Sequence, residues 1–464
     1  MERFVRENLE DMISHLGELV AIDSVYAEDG GEGAPFGARI RAALDYVLEL
    51  ARSFGFSVRD YDGYAAEITA GTGKRMIGVL CHADVVAAGT GWDTDPFTLT
   101  RKDGRLYGRG ASDDKGPLIS CLYVMKYLLD SGRIPPDACV RMIVGADEEE
   151  GWGCIRHYLE HAGVLPEVSI VPDGNFPLIF CEKGLLDFDL VSEHRIERGA
   201  PVQLVSVTGG GSRNIVPDAA QCVLECADPD AVLQTLSGAP DTQARAEDGQ
   251  VVLQARGKST HCMSPEKGKN AIAALFAALA RLGGSLSHHA LVEAFGCALG
   301  EDYTGERFGC AMRDAASGAL TFNVGAVRMD AAGAVTLECD LRYPASVSYE
   351  TVRDLTAAGA VKNGFVYHEV DRLPPVYHER SSPLVTALLD AYREVTGDTD
   401  SQPLSIGGAT YARALPNAVA FGPLFPWEEE LAHEPNEFLA EESLAKMTVI
   451  FARALEKLLA APGM

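Results

Sequence analysis

Arg75-Met76-Ile77-Gly78-Val79-Leu80-Cys81-His82-Ala83-Asp84-Val85-Val86 decides how this chain is read. The apolar run predicts a strand from Arg75 to Cys81, and polar groups begin where it stops. Working outward, Lys115 to Asp130 reads as a helix, Val140 to Gly145 as a strand, Trp152 to His161 as a helix and Val168 to Val171 as a strand. This alternation implies βαβ units on a mostly parallel sheet flanked by helices, an α/β fold. In such sheets functional residues gather at the carboxyl ends of the strands.

Further along, the pattern changes. Pro201 to Val207, Val251 to Ala255, Ala319 to Arg328 and Ala334 to Arg342 read as strands, with a hairpin turn at Asp330 to Gly333. Helical stretches at Gly268 to Leu282 and Tyr349 to Ala358 interrupt them. Alternation then returns, with a helix at Pro383 to Thr396, a strand at Ala418 to Phe421 and a helix at Glu441 to Leu459. The expected organisation is a catalytic domain of residues 1–184 and 378–464, with an α+β lid domain of residues 185–377 inserted into it.

The 464 residues, 47% hydrophobic and 23% charged, match an ordinary globular protein. Met1 to Asp23 carries charges throughout and reads as an amphipathic helix, so no signal peptide is expected. The longest uncharged apolar stretch, Ala271 to Ala280, falls short of the roughly 20 residues a membrane span requires. Eleven cysteines, with no Cys-x-x-Cys pair, suggest reduced thiols in a cytoplasmic protein. A formal charge of −27 disfavours nucleic acid and anionic lipid as partners.

Carboxylates and imidazoles recur at the predicted strand ends. His82 and Asp84, two apart, would share a face, so a carboxylate could fix the tautomer of a ligating imidazole. Asp113-Asp114 opens the helix at Lys115; one aspartate suffices as a cap, which leaves Asp113 able to bridge two cations. Asp147-Glu148-Glu149-Glu150 follows the strand ending at Gly145; one carboxylate could bind metal while its neighbour takes a proton from water. Pro172-Asp173-Gly174 would serve equally as a turn. His433 lies far away in His433-Glu434-Pro435-Asn436-Glu437. Each element has a bland reading, but together they suit two borderline divalent metals sharing a water.

The order and spacing of these motifs resemble the M20 metallopeptidases over essentially the whole chain. His82-Ala83-Asp84-Val85-Val86 with Gly89-Thr90-Gly91-Trp92, Asp113-Asp114-Lys115-Gly116-Pro117, and His433-Glu434-Pro435-Asn436-Glu437 are similar to the dipeptidase V, or Xaa-His dipeptidase, branch. The resemblance implies two divalent metals, Zn2+ with Mn2+ or Co2+ as alternatives. His82 and Asp173 would hold one, Glu149 and His433 the other, with Asp113 as bridge. It makes Glu148 the general base that deprotonates the metal-bridging water to hydroxide, and Asp84 the residue that orients His82.

In the lid, the resemblance gives His261 of Gly257-Lys258-Ser259-Thr260-His261 and Asn214 a role near the developing oxyanion. Arg342 would take the substrate's terminal carboxylate, and Gly407, Gly408 and Thr410 would form a substrate loop. Cys81, Ala83, Glu434 and Glu150 depart from the family pattern without removing a ligand or the base. The implied activity is hydrolysis of dipeptides by a monomer. Two rivals are weighed against it: an N-acyl amino acid deacylase or aminoacylase using the same centre, and a non-catalytic metal-binding protein, which would need no free base at Glu148.

Overall fold

Strand Arg75–His82 is buried along all but its first residue. It pairs in parallel with Ala138–Gly145 on one side and Val168–Val171 on the other. Ala418–Ala420 continues the parallel order beside Val168–Val171. A strand covered on both faces and paired on both edges has only apolar surroundings, which is why Met76-Ile77-Gly78-Val79-Leu80 is continuous rather than alternating. The sheet is mixed, because Ala65–Gly71 and then Ser57–Tyr61 extend it in antiparallel fashion.

The computed structural model describes residues 1–461; residues 462–464, the end of the expected C-terminal catalytic segment, lie outside the described residues. The chain divides into two compact units, Met1–Phe180 with His378–Leu404 and Thr410 onward, and Cys181–Tyr377 with Ser405–Ala409. In the first unit, helix Lys115–Asp130 packs on the C-terminal helix Glu441–Ala460, where the Ser120 and Thr448 hydroxyls pair at 2.8 Å. Helix Pro383–Thr396 begins with the Ser382 hydroxyl accepting from the Val385 N–H and ends at left-handed Gly397.

The second unit is built on an eight-stranded sheet in the order Thr242–Glu247, Gln250–Arg256, Ala219–Cys226, Val202–Gly210, Thr321–Met329, Val335–Tyr343, Gly184–Ser192 and Phe365–Leu373. Every pairing in it is antiparallel. Helices Ala271–Leu279 and His289–Ala298 contribute Phe276 and Phe295 to one hydrophobic core with Phe188, Leu253 and Phe322 of the sheet. The stretch Gly268 to Leu282 is not one helix: Asn270 caps Ala271–Leu279, and a tighter 3-10 turn follows to Ser285.

All eleven cysteines are free. Among the described residues, no helix is long and apolar enough to cross a membrane.

Candidate metal centre

Three parallel strands deliver acidic or imidazole groups to one end of the first unit's sheet. His82, the last residue of its strand, is fully buried. Its Nε2 lies 3.0 Å from Asp113 Oδ1. Its Nδ1 lies 3.0 Å from the Asp84 carbonyl oxygen and 3.5 Å from Asp84 Oδ1, so the backbone, more than the carboxylate, sets the ring. Asp84 stands beyond the strand end rather than on its face, and its Oδ2 accepts from the Glu149 N–H at 3.0 Å.

The four carboxylates after Gly145 divide by position. Asp147 folds the turn, its oxygens accepting from the Gly151 and Gly153 N–H groups at 3.1 and 2.7 Å. Glu148 and Glu149 are thereby turned toward His82, while Glu150 is exposed. Asp114 is the N-cap residue of helix Lys115–Asp130 but makes no side-chain cap bond; its Oδ2 accepts from the His82 N–H at 3.1 Å. Asp113 is left facing two imidazoles, Oδ1 toward His82 and Oδ2 toward His433 Nε2 at 3.1 Å. His433 Nε2 also lies 3.0 Å from Glu149 Oε2.

Two sets of side chains present ligand atoms within 4.8 Å of one another: His82, Glu148 and Asp173, and His82, Asp113 and Glu149. The structure therefore brings together His82, Asp113, Glu148, Glu149, Asp173 and His433. Their electrostatics test whether cations suit them. Burial, and then the neighbouring Asp113, push the Asp173 carboxyl up to about 7. Burial, then Asp173, raise Glu148 well above the carboxylate range. Hydrogen bonds to Asp113 and Glu149 drive His433 up to about 11, and against its burial His82 is also held protonated by Asp113 and Asp84. Protons balance a cluster of buried carboxylates, and two divalent cations could replace them while freeing both imidazoles to ligate. Oxygen and nitrogen donors in this proportion fit first-row divalent metals.

Of the remaining candidates, all but Thr410 belong to the second unit. In the second unit, His261 Nδ1 accepts from the Met263 N–H at 3.1 Å, and the Cys262 N–H donates to the Asn214 carbonyl at 2.8 Å. The Asn214 side-chain oxygen accepts from the Ser212 hydroxyl at 2.5 Å. Arg342 is buried, and its fork is taken by Asp340, with Nε and Nη2 donating at 2.8 and 2.6 Å. Its Nη1 faces the Gly407 carbonyl at 3.4 Å. Gly407 packs so closely on Met263 that a side chain there would meet Met263 Cβ at 2.7 Å, and Gly408 lies beside it. Thr410 belongs to the first unit, where its Oγ1 accepts from the Ala412 N–H as a cap.

Sequence reasoning passes over two residues of the centre. Glu437 is buried and binds the loop that carries Asp113. Tyr411 is buried edge-on to His82, with its hydroxyl 2.6 Å from Cys154 Sγ. Glu437 stands inside the quoted C-terminal motif, so its signal is present; Tyr411 has none beyond following the glycine loop.

Residues 78–457 match the model of peptidase family M20/M25/M40. A protein of Bacillus subtilis strain 168 named "Putative dipeptidase YtjP" is 36% identical over 456 residues, covering 97% of each chain. The fold resembles the di-peptidase Dug1p from Saccharomyces cerevisiae, with a TM-score of 0.60, 14% identity and 99% and 98% of the two chains covered. Human carnosine dipeptidase 1 gives 0.58 at the same identity and coverage. At that identity the two structures speak for the fold alone, whereas the family match extends through every strand end that bears a candidate ligand. The chain thus belongs to peptidase family M20/M25/M40 and is a hydrolase acting on peptide bonds.

Proposed function

We propose that this peptidase is a two-metal dipeptidase of the dipeptidase V type, cytoplasmic and monomeric. The observation that carries the reading is Asp113, whose two oxygens address His82 and His433 separately. A carboxylate so placed could serve two cations: His82 and Asp173 would hold one of them with it, and Glu149 and His433 the other.

When bound, such a metal pair lowers the pKa of a shared water and polarises the scissile carbonyl. The chain supplies the rest. Glu148 takes the proton from water and returns it to the leaving amine. Asp84 holds Glu149 through its backbone and His82 through its own carbonyl. His261 donates from Nε2 to the developing oxyanion, beside Asn214. Arg342 offers Nη1 to the substrate's terminal carboxylate while Asp340 holds the guanidinium in place. Gly407, Gly408 and Thr410 form the adjoining substrate loop.

The test strips the protein with a chelator, restores Zn2+ or Mn2+ separately, and compares free dipeptides, β-Ala-His among them, with their N-acetylated counterparts. Metal-restored cleavage of the free forms alone supports the dipeptidase reading. Preference for the acetylated forms replaces it with a deacylase.

A further inference from the structure

Glu437 is four residues beyond His433, and its side chain is 1% exposed. A carboxylate buried so completely costs several kcal/mol unless its lone pairs are met. Here all the partners come from one loop. Oε2 accepts from Arg109 Nη1 at 2.7 Å and from the Gly110 N–H at 3.0 Å. Oε1 accepts from the Ser112 N–H at 2.9 Å and the Asp113 N–H at 3.2 Å. The Glu437 carbonyl accepts from the Gly108 N–H at 3.1 Å. The residues that follow continue the attachment as a short antiparallel ladder, Phe438–Ala440 against Arg105–Tyr107.

The contacts close a ring. Asp113 is held at its backbone N–H by Glu437 and at its Oδ2 by His433, and both holders belong to the same five-residue segment. Two stretches of chain more than 300 positions apart are thereby fixed relative to each other at the point where each presents a group to the centre. The Asp113 loop makes turns of its own, the Ala111 and Lys115 N–H groups donating to the Gly108 and Gly110 carbonyls at 3.1 and 3.0 Å, but its Gly110, Ser112 and Asp113 N–H groups are met by Glu437.

We infer that Glu437 is a positioning residue for the two-metal centre: it sets Asp113 against His433 and so determines occupancy of the Glu149–His433 metal site more than that of the His82–Asp173 site. This rests on the two-metal reading given above. Glutamine cannot substitute, because in either orientation its NH2 group would confront two donors in place of an acceptor. Aspartate keeps both acceptors but is one methylene short, so it should serve the loop in part.

The experiment titrates chelator-stripped wild type, E437Q and E437D with Zn2+ by calorimetry, and repeats the titration with Co2+ while following its visible absorption. Wild type should take two equivalents. E437Q should take the first within threefold of wild-type affinity and the second at least tenfold more weakly, with E437D between them. Wild type that binds fewer than two equivalents sinks the two-metal reading itself. If wild type binds two and E437Q retains both unchanged, or loses both equally, the positioning role is wrong. Should E437Q not fold, E437D decides alone, since an unweakened second equivalent in that variant overturns the inference.

Discussion

His261 Nδ1 accepts a hydrogen bond from the Met263 backbone N–H at 3.1 Å. An acceptor nitrogen carries no proton, so the neutral ring bears its hydrogen on Nε2. Burial, reinforced by the positive charge of Arg342, lowers the ring's pKa and keeps it neutral near pH 7. The residue is therefore a fixed single donor, as an oxyanion ligand should be. His261→Ala should lower kcat by about 10²-fold to 10³-fold while KM moves far less. Steady-state kinetics on one dipeptide decides it: a change confined to KM would assign His261 to ground-state binding.

Glu148 and Glu149 are neighbours in sequence with different expected losses. Glu148→Gln removes the proton acceptor and leaves a side chain of the same shape. It should retain both metals by elemental analysis and lose about 10³-fold or more in kcat. Glu149→Gln should instead lose one metal equivalent. Identical metal loss in the two variants would erase the division of labour between them.

Gly145 ends its strand directly beneath Tyr411. A Cβ there would lie 2.1 Å from the Tyr411 hydroxyl and 2.9 Å from Cζ. Tyr411 cannot withdraw, being fully buried with its hydroxyl against Cys154. Gly145→Ala should cost about 2 kcal/mol, the usual scale of overpacking. Adding Tyr411→Phe removes the closest atom, so the double variant should recover part of the loss in a denaturation experiment. No recovery would place the strain elsewhere.

Where local chemistry marks an element's ends, the sequence can be read almost to the residue. Helix Pro383–Thr396 lies between Ser382-Pro383, whose serine caps it, and Gly397. Helix Ala38–Ser53 escapes because Gly37 offers no side-chain cap to announce it. Strand Phe365–Leu373, with Glu369 and Asp371 among its residues, lies at an edge of its sheet and is largely exposed, so the apolar pattern that reveals a strand is weak there. The gathering of His82, Glu148, Glu149 and Asp173 is legible because strand ends converge in α/β sheets, whereas Asp113 and His433 lie in turns and are marked only by the motifs that resemble the M20 family. The tasks of Asp147 and Glu437 are not, since a carboxylate that folds a turn or holds a loop has the same letters as one that meets a cation.

The second unit contains its own pH-dependent element. Asp187 lies directly opposite Asp340 on one neighbouring strand and Asp371 on the other. The nearby cations are committed, Arg342 to Asp340 and Arg213 to Asp189 at 2.7 Å. Burial, then Asp340, push the Asp187 carboxyl from 3.8 up to about 7. A raised folded-state pKa means the native form is favoured while the group is protonated. Below about pH 4 the two states are protonated alike; between there and pH 7 the unfolded chain ionises first, so stability declines and then levels off. Asp187→Asn mimics the protonated side chain and should escape this decline. Its advantage over wild type should grow through that window to about 2 kcal/mol above pH 7, after allowance for partial solvent access. Urea denaturation of both proteins from pH 4 to 9, followed by circular dichroism, measures it; a gap that is constant with pH would mean that Asp187 ionises normally.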